Sequence, residues 1–173
     1  MPIADLVDNA LPVSLRKAFP GDVEGIKALI DMFAFLPDKS GQLIARTPEE
    51  ILAVISGGGF YVADAGKIVG CASLAEYNGQ GTVMAELRSL AVHPDYQGNG
   101  IGKRLVMACI GEAVSRGHEV LYTLTQEQNF AFVESLDFQK LGDVPPAKMQ
   151  KDCYRCELYK NGCNETPFVV RFK

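Results

Sequence analysis

The sequence predicts a mixed α/β fold in a single domain. Three observations lead there. Short runs with strand-like composition are interspersed with amphipathic segments of helical period. The 173 residues are 47% apolar and 22% charged, enough to bury one core and no more than an ordinary domain needs. No internal repeat and no long linker divides the chain, so residues 13–173 read as one domain and residues 1–12 as an N-terminal extension.

The elements follow in order. Val13 to Ala18 reads as a first strand, broken by Pro20 and Gly21. Asp22 then reads as the cap of a helix whose apolar residues Val23, Ile26, Leu29, Ile30 and Phe33 recur at helical spacing. Pro37 to Gly41 is a predicted loop. Thr47 with Glu50 forms a capping box, Pro48 suits the first helical position, and the helix runs to the glycines at 57–59. Phe60–Ala63 and Lys67–Leu74 form a hairpin, Glu76–Gly81 a second turn, and Val83–Val92 a longer strand. A glycine-rich loop, Pro94 to Gly102, overlaps the start of a helix from about Gly100 to Arg116, which Gly117 ends. Val120–Leu124 is a strand, Phe130–Leu136 a short helix and Asp137–Leu141 a strand. The tail is polar and cysteine-bearing, then closes on a strand at Phe168–Phe172.

Several function classes are disfavoured. The formal net charge of -4 lacks the basic footprint of a nucleic-acid binder. No apolar run approaches membrane-spanning length, and the N-terminal stretch carries Asp5 and Asp8 without a basic cluster, unlike a signal peptide. The expectation is a cytoplasmic protein acting on a small molecule without nucleic acid or membrane; a homodimer is compatible with it. Cys71 and Cys109 lie in apolar segments and read as buried thiols.

The most informative segment is Leu90-Ala-Val-His-Pro-Asp-Tyr-Gln-Gly-Asn-Gly-Ile-Gly-Lys-Arg104. A strand leads into glycines at alternate positions, Gly98, Gly100 and Gly102, and a helix starts inside the loop. Glycines let the backbone approach a ligand, several N–H groups converge, and the helix N-terminus adds partial positive charge. This is an anion site suited to a pyrophosphate, with Lys103 and Arg104 at its rim. The spacing matches neither a P-loop nor a dinucleotide fingerprint.

Leu90-Ala91-Val92-His93-Pro94 followed by Gln97-Gly98-Asn99-Gly100-Ile101-Gly102 resembles the acetyl-coenzyme A motif of the GNAT superfamily of N-acetyltransferases. Phe132-Val133-Glu134-Ser135-Leu136-Asp137-Phe138 resembles a later segment of the same superfamily. The resemblance implies a mixed, mostly antiparallel sheet of six to seven strands flanked by about four helices. It also implies acetyl-coenzyme A as co-substrate, a strand that splays from its neighbour at Leu90, Ala91 and Val92, and cofactor contacts from Gln97 through Lys103 and from Phe132. Many members use a tyrosine as general acid on the short helix; the matching position here is Val133, which leaves Tyr122 on the preceding strand, or a water, as the substitute.

Ala85 to Val92 together with Pro146-Ala-Lys148-Met-Gln-Lys151-Asp-Cys153-Tyr-Arg155-Cys156 resembles the short-form bacterial N-acetylglutamate synthases, as does Leu43 to Glu50. The implied acceptor is an amino acid, L-glutamate first, in arginine biosynthesis. The residues themselves agree. Glu86 and Arg88 project from one face of a strand leading to the cofactor loop. Arg88 can grip a carboxylate and Glu86 can take the ammonium proton. A second carboxylate needs another cation, and Lys151, Lys148, Arg155 and Arg46 are the candidates, Lys151 first. Alternatives are another amine (polyamine, protein N-terminus or antibiotic) and a non-catalytic acetyl-coenzyme A sensor. Cys153, Cys156 and Cys163 could supply three thiolates to zinc or act as a redox pair, but no fourth ligand stands out, so no metal is assigned.

Overall fold

The computed structural model describes residues 12–34, 43–79, 82–156 and 163–172; of the side chains at 79, 82, 150 and 151 nothing is described. The expected loop at 37–41 and the turn at 80–81 lie outside the described residues.

Strand β1 (Ser14–Lys17) leads through a 3-10 turn into helix α1 (Val23–Ala34). Asp22 does not cap α1 as expected. It sits inside the 3-10 turn, where its carboxylate accepts the Phe19 N–H at 2.9 Å and binds Arg16 at 2.7 and 3.0 Å. Helix α2 (Pro48–Ser56) starts on the expected capping box, Thr47 and Glu50 exchanging hydrogen bonds of 2.9 and 3.1 Å. Then come β2 (Phe60–Asp64), β3 (Ile68–Gly79) and β4 (Thr82–Val92). The turn expected at Glu76–Gly81 is overturned: Glu76–Gly79 continue β3, and Tyr77 is buried there opposite Met84. Helix α3 (Ile101–Ser115), β5 (Val120–Thr125), α4 (Phe130–Glu134) and β6 (Gln139–Lys140) follow. A further helix, α5 (Pro146–Lys151), stands where a polar tail was expected, before β7 (Thr166–Arg171).

The strands form one seven-stranded sheet in the order β1-β2-β3-β4-β5-β7-β6. Every pair is antiparallel except β4 with β5. One face packs on α3 through Ile101, Leu105, Val106, Cys109 and Ala113. The other packs on α1 and α2 through Ile26, Leu29, Ile30, Ile51 and Ile55. Both Cys71 and Cys109 are buried in these cores, and burial pushes the Cys71 thiol up to about 12. A third cluster, Ala75, Tyr77 and Met84, is covered by Tyr122 and by Ala147 of α5. Among the described residues no helix is long and apolar enough to cross a membrane.

Candidate active site

Two irregularities in β4 build the site. The first is a bulge. Arg88 faces Ser73 and Ala91 faces Cys71, so Ser89 and Leu90 together oppose Ala72. Ser89 takes a positive φ of 55°, and the Ser73 hydroxyl and Cys71 thiol donate to the carbonyls of Arg88 (3.1 Å) and Ser89 (3.2 Å). The extra residue inverts the side-chain alternation. Before it Ala85 and Leu87 join the α3 core, while after it Leu90 and Val92 pack there and Ala91 turns to the α1–α2 core. The second irregularity is a fork. The β4–β5 ladder holds only at Glu86–Tyr122 and Leu87–Thr123, where the Thr123 hydroxyl donates to the Leu87 carbonyl at 3.1 Å. Beyond Leu87 the two strands form opposite walls of a cavity of about 740 Å³.

The glycine loop closes one end of that cavity. Gly98 and Gly100 adopt φ of 80° and 77°, which L side chains rarely adopt, and a Cβ at either would meet nothing within 4 Å. The loop is held by its own side chains: Gln97 Nε2 donates to the Val92 carbonyl at 2.9 Å. Gly100 is the N-cap of α3, and the ladder begins with Arg104 N–H donating to the Gly100 carbonyl at 3.1 Å. The amides of Ile101, Gly102 and Lys103 are therefore left at the open helix end, where an anion is favoured. Leu90, Ala91, Val92, Gln97, Gly98, Gly100, Ile101, Gly102, Lys103 and Phe132, all expected to contact the cofactor, line the cavity. Asn99 does not. Its side-chain amide turns back onto the loop, donating to the carbonyls of Tyr96 (3.2 Å) and Gln97 (3.3 Å).

The other end is a buried charge cluster. Glu86, Arg46 and Lys148 are 2%, 7% and 3% exposed, and all three line the cavity with Arg88. Lys148 Nζ lies 2.9 Å from Glu86 Oε1 and 2.7 Å from Asp152 Oδ2. Arg46 donates to both Asp152 oxygens, at 3.1 and 3.3 Å. The Tyr77 hydroxyl donates to Asp152 at 2.8 Å and accepts from Arg88 at 2.9 Å. Charge fixes the protonation states. Burial disfavours the Lys148 ammonium, but Glu86, Tyr77 and Asp152 outweigh it and hold its proton more tightly than in a free lysine. Burial likewise opposes ionisation of Asp152, yet the Arg46 hydrogen bonds and the Lys148 charge keep it well below the usual carboxylate range. Burial and Glu86 push the Tyr77 phenol up. Arg46, Arg88 and Lys148 thus stand among the carboxylates of Glu86 and Asp152, and Glu165 lies on the same cavity wall.

Other expectations fall differently. Arg155 is exposed, lines no cavity and reaches Asp152 only at 3.6 Å. The Lys151 side chain lies outside the described residues. Tyr122 packs on the Tyr77–Met84 cluster and lines neither cavity, so it is not placed as a general acid. A second cavity of about 200 Å³ shares Lys148 and Glu165 with the first, and Cys153, Cys156 and Cys163 line it. The three thiols are free, and among the described residues no group of three or more His, Cys, Asp or Glu has metal-holding geometry. Burial pushes the Cys153 thiol up to about 11. Three site residues escaped the sequence reading. Tyr77 falls in the stretch expected to be a turn, and Asp152 lies in the tail segment without a role of its own. Glu165, pushed up to about 7 by burial and Glu86 against Lys148, carries no motif at all.

Residues 56–140 match the family model of the acetyltransferase (GNAT) domain. The chain carries a GNAT acetyltransferase domain. Its relatives include an uncharacterized N-acetyltransferase of Chlorobaculum tepidum, 28% identical over 98% of each chain. An amino-acid acetyltransferase of Shewanella oneidensis is 32% identical over 69% of this chain and 25% of its own length. Among solved structures, the N-acetylglutamate synthase of Neisseria gonorrhoeae complexed with coenzyme A and N-acetyl-glutamate superposes with a TM-score of 0.73. It is 29% identical over 94% of this chain and 35% of that one. The chain therefore spans about a quarter to a third of these two longer proteins. The forked strands and the open helix end suit an extended ligand that carries a diphosphate.

Proposed function

We propose that this GNAT protein transfers the acetyl group of acetyl-coenzyme A to the α-amine of an amino acid, with L-glutamate as the leading acceptor. One observation carries the reading. Two buried side-chain atoms are left without a hydrogen-bond partner among the described residues, Glu86 Oε2 and Arg46 Nε. Both residues line the cavity. One orphan is an acceptor and the other a donor, which are the complements of an ammonium and a carboxylate. Unmade buried hydrogen bonds are costly, so a ligand that makes both is favoured.

The mechanism is direct transfer. Loop amides at 101–103 bind the diphosphate, and the fork holds the pantetheine arm between Leu90–Val92 and β5. Glu86 Oε2 takes a proton from the acceptor ammonium, directly or through one water. The freed amine attacks the thioester carbonyl, whose developing oxyanion is met by a β4 amide near Leu90. The C–N bond forms and the C–S bond breaks; the nitrogen gives up its second proton, the leaving coenzyme A thiolate takes one through solvent, and Glu86 returns its own to solvent. Lys148 and Asp152 hold their charges throughout. Place in arginine biosynthesis and a cytoplasmic setting follow from the glutamate reading.

An acceptor other than glutamate has one observation in its favour. Asp152 already takes Nη1 and Nη2 of Arg46 and one donor of Lys148, so fewer cations are open to a second carboxylate. Thiol release from acetyl-coenzyme A with glutamate, glutamine, aspartate and a polyamine tests the proposal. Turnover of amino acids with glutamate foremost is expected; turnover of the polyamine alone would refute it.

A further inference from the structure

Asp152 is the most heavily engaged side chain in the acceptor cluster. Its two oxygens receive Arg46 twice, Lys148 and Tyr77, at 2.7 to 3.3 Å, and Arg88 Nη1 stands 3.6 Å away. Its partners come from four places in the fold: the entry to α2, β3, β4 and α5. Yet Asp152 lines neither cavity, and its carboxylate is 2% exposed. Arg46, Lys148 and Arg88 all line the main cavity. The carboxylate therefore stands behind the groups that face the acceptor. It is not a stand-in occupying the acceptor's own place.

We propose that Asp152 is the positioning residue of the acceptor site, the anchor that aims Arg46, Lys148 and, through Tyr77, Arg88 at the bound amine substrate. The proposal rests on the acceptor reading of this cavity. Arg46 is bound by Nη1 and Nη2, and its Nε is a buried nitrogen left without a partner among the described residues. Lys148 is shared between Asp152 and Glu86 Oε1, which leaves Oε2 as the free carboxylate atom. The two orphan atoms that define the acceptor site are thus the remainder after Asp152 has taken its share. A flexible Arg or Lys holds a productive orientation only when a second layer locks its rotamer. A carboxylate held between two cations does so here without touching the substrate. Short backbone bonds fix it in turn: Asp152 N–H donates to the Lys148 carbonyl at 3.0 Å.

Asp152→Asn keeps the shape and removes the charge, Asp152→Glu keeps the charge, and Asp152→Ala leaves room for a small carboxylate. Each is measured for coenzyme A affinity by calorimetry and for acceptor KM and kcat by thiol release. Asp152→Asn is expected to raise acceptor KM about 10- to 100-fold, with coenzyme A affinity within about twofold of wild type. Asp152→Glu recovers part of that loss, and added formate lowers acceptor KM in Asp152→Ala but not in wild type. An acceptor KM unchanged in Asp152→Asn overturns the proposal. So does a parallel loss of coenzyme A affinity in both Asp152→Asn and Asp152→Glu, which marks a packing role only. Wild-type enzyme that ignores every amino acid sinks the amino-acid reading instead; the amine it does use then serves as acceptor in the same comparison.

Discussion

The two ends of the cavity are built on opposite plans. The coenzyme A end is a contiguous run, Leu90 to Lys103, that works through backbone groups. Its glycine loop is exposed at 97–100, and the run is nearly free of charge pairing. The acceptor end is assembled from residues 46, 77, 86, 88, 148 and 152, works through side chains, and is buried. Arg46 and Asp152 pair across 106 residues of sequence. One cavity thus joins an end built from backbone to an end built from side chains. The backbone end depends on local conformation alone, whereas the charged end depends on every partner being present at once.

The largest expected effect breaks the comparison at the acceptor end. Glu86→Gln keeps shape and removes the proton acceptor, so kcat falls about 10²- to 10⁴-fold while calorimetry finds coenzyme A affinity unchanged. Equal loss of both would show that the two ends are not separable. Next is Lys148→Met. It strips Glu86 and Asp152 of a shared cation and costs about 3–5 kcal/mol of stability in urea unfolding, because a buried charge left alone is worse than none. A loss as small as that of a surface lysine would mean that water reaches the cluster.

The coenzyme end answers with smaller numbers. Gly100→Ala meets no steric obstacle but must hold φ near 77°, which costs about 1 kcal/mol. Coenzyme A affinity should fall about tenfold as the amides shift, and acceptor specificity, read as the ratio of kcat/KM for two amino acids, should not change. The smallest effect is on pH dependence. The Asp152 carboxyl is depressed, so its stabilisation is full above its ordinary value of 3.8 and drains away as pH falls below that. Glu165 has the opposite sign. Raised from 4.5 to about 7, it binds its proton more tightly in the folded state, so stability declines as pH climbs through that window. Glu165→Gln should flatten the stability curve between these values in urea melts. An unchanged slope would place Glu165 in free contact with solvent.

Legibility in the sequence follows the same division. The capping box at Thr47, the hairpin, α3 and its glycine loop all rest on residues within a few positions of one another, and local pattern finds such features. The failures are at Glu76–Gly79 and at α5. Glu-Tyr-Asn-Gly looks like a turn, but Tyr77 is buried because α5 covers that face of β3, and tertiary packing overrides local preference. Helix α5 hides its period because Lys148 is buried within it and Asp152 just after it, where an apolar stripe would have announced it. Glu86, Arg88, Arg46 and Lys148 were nameable as candidates. Their mutual pairing was not, and neither was the anchor at Asp152.

Dihedral preference, glycine placement and side-chain period act over short chain distances, so most of the core's helices and strands and the glycine bend at 97–102 are legible in residue order. Which charges meet, where β4 bulges at Ser89, and which atoms of Glu86 and Arg46 stay unpaired emerge with the folded chain. Coulomb attraction and hydrogen bonding depend on distance in space, and that distance is created only when the sheet closes residues 46 and 152 onto one another.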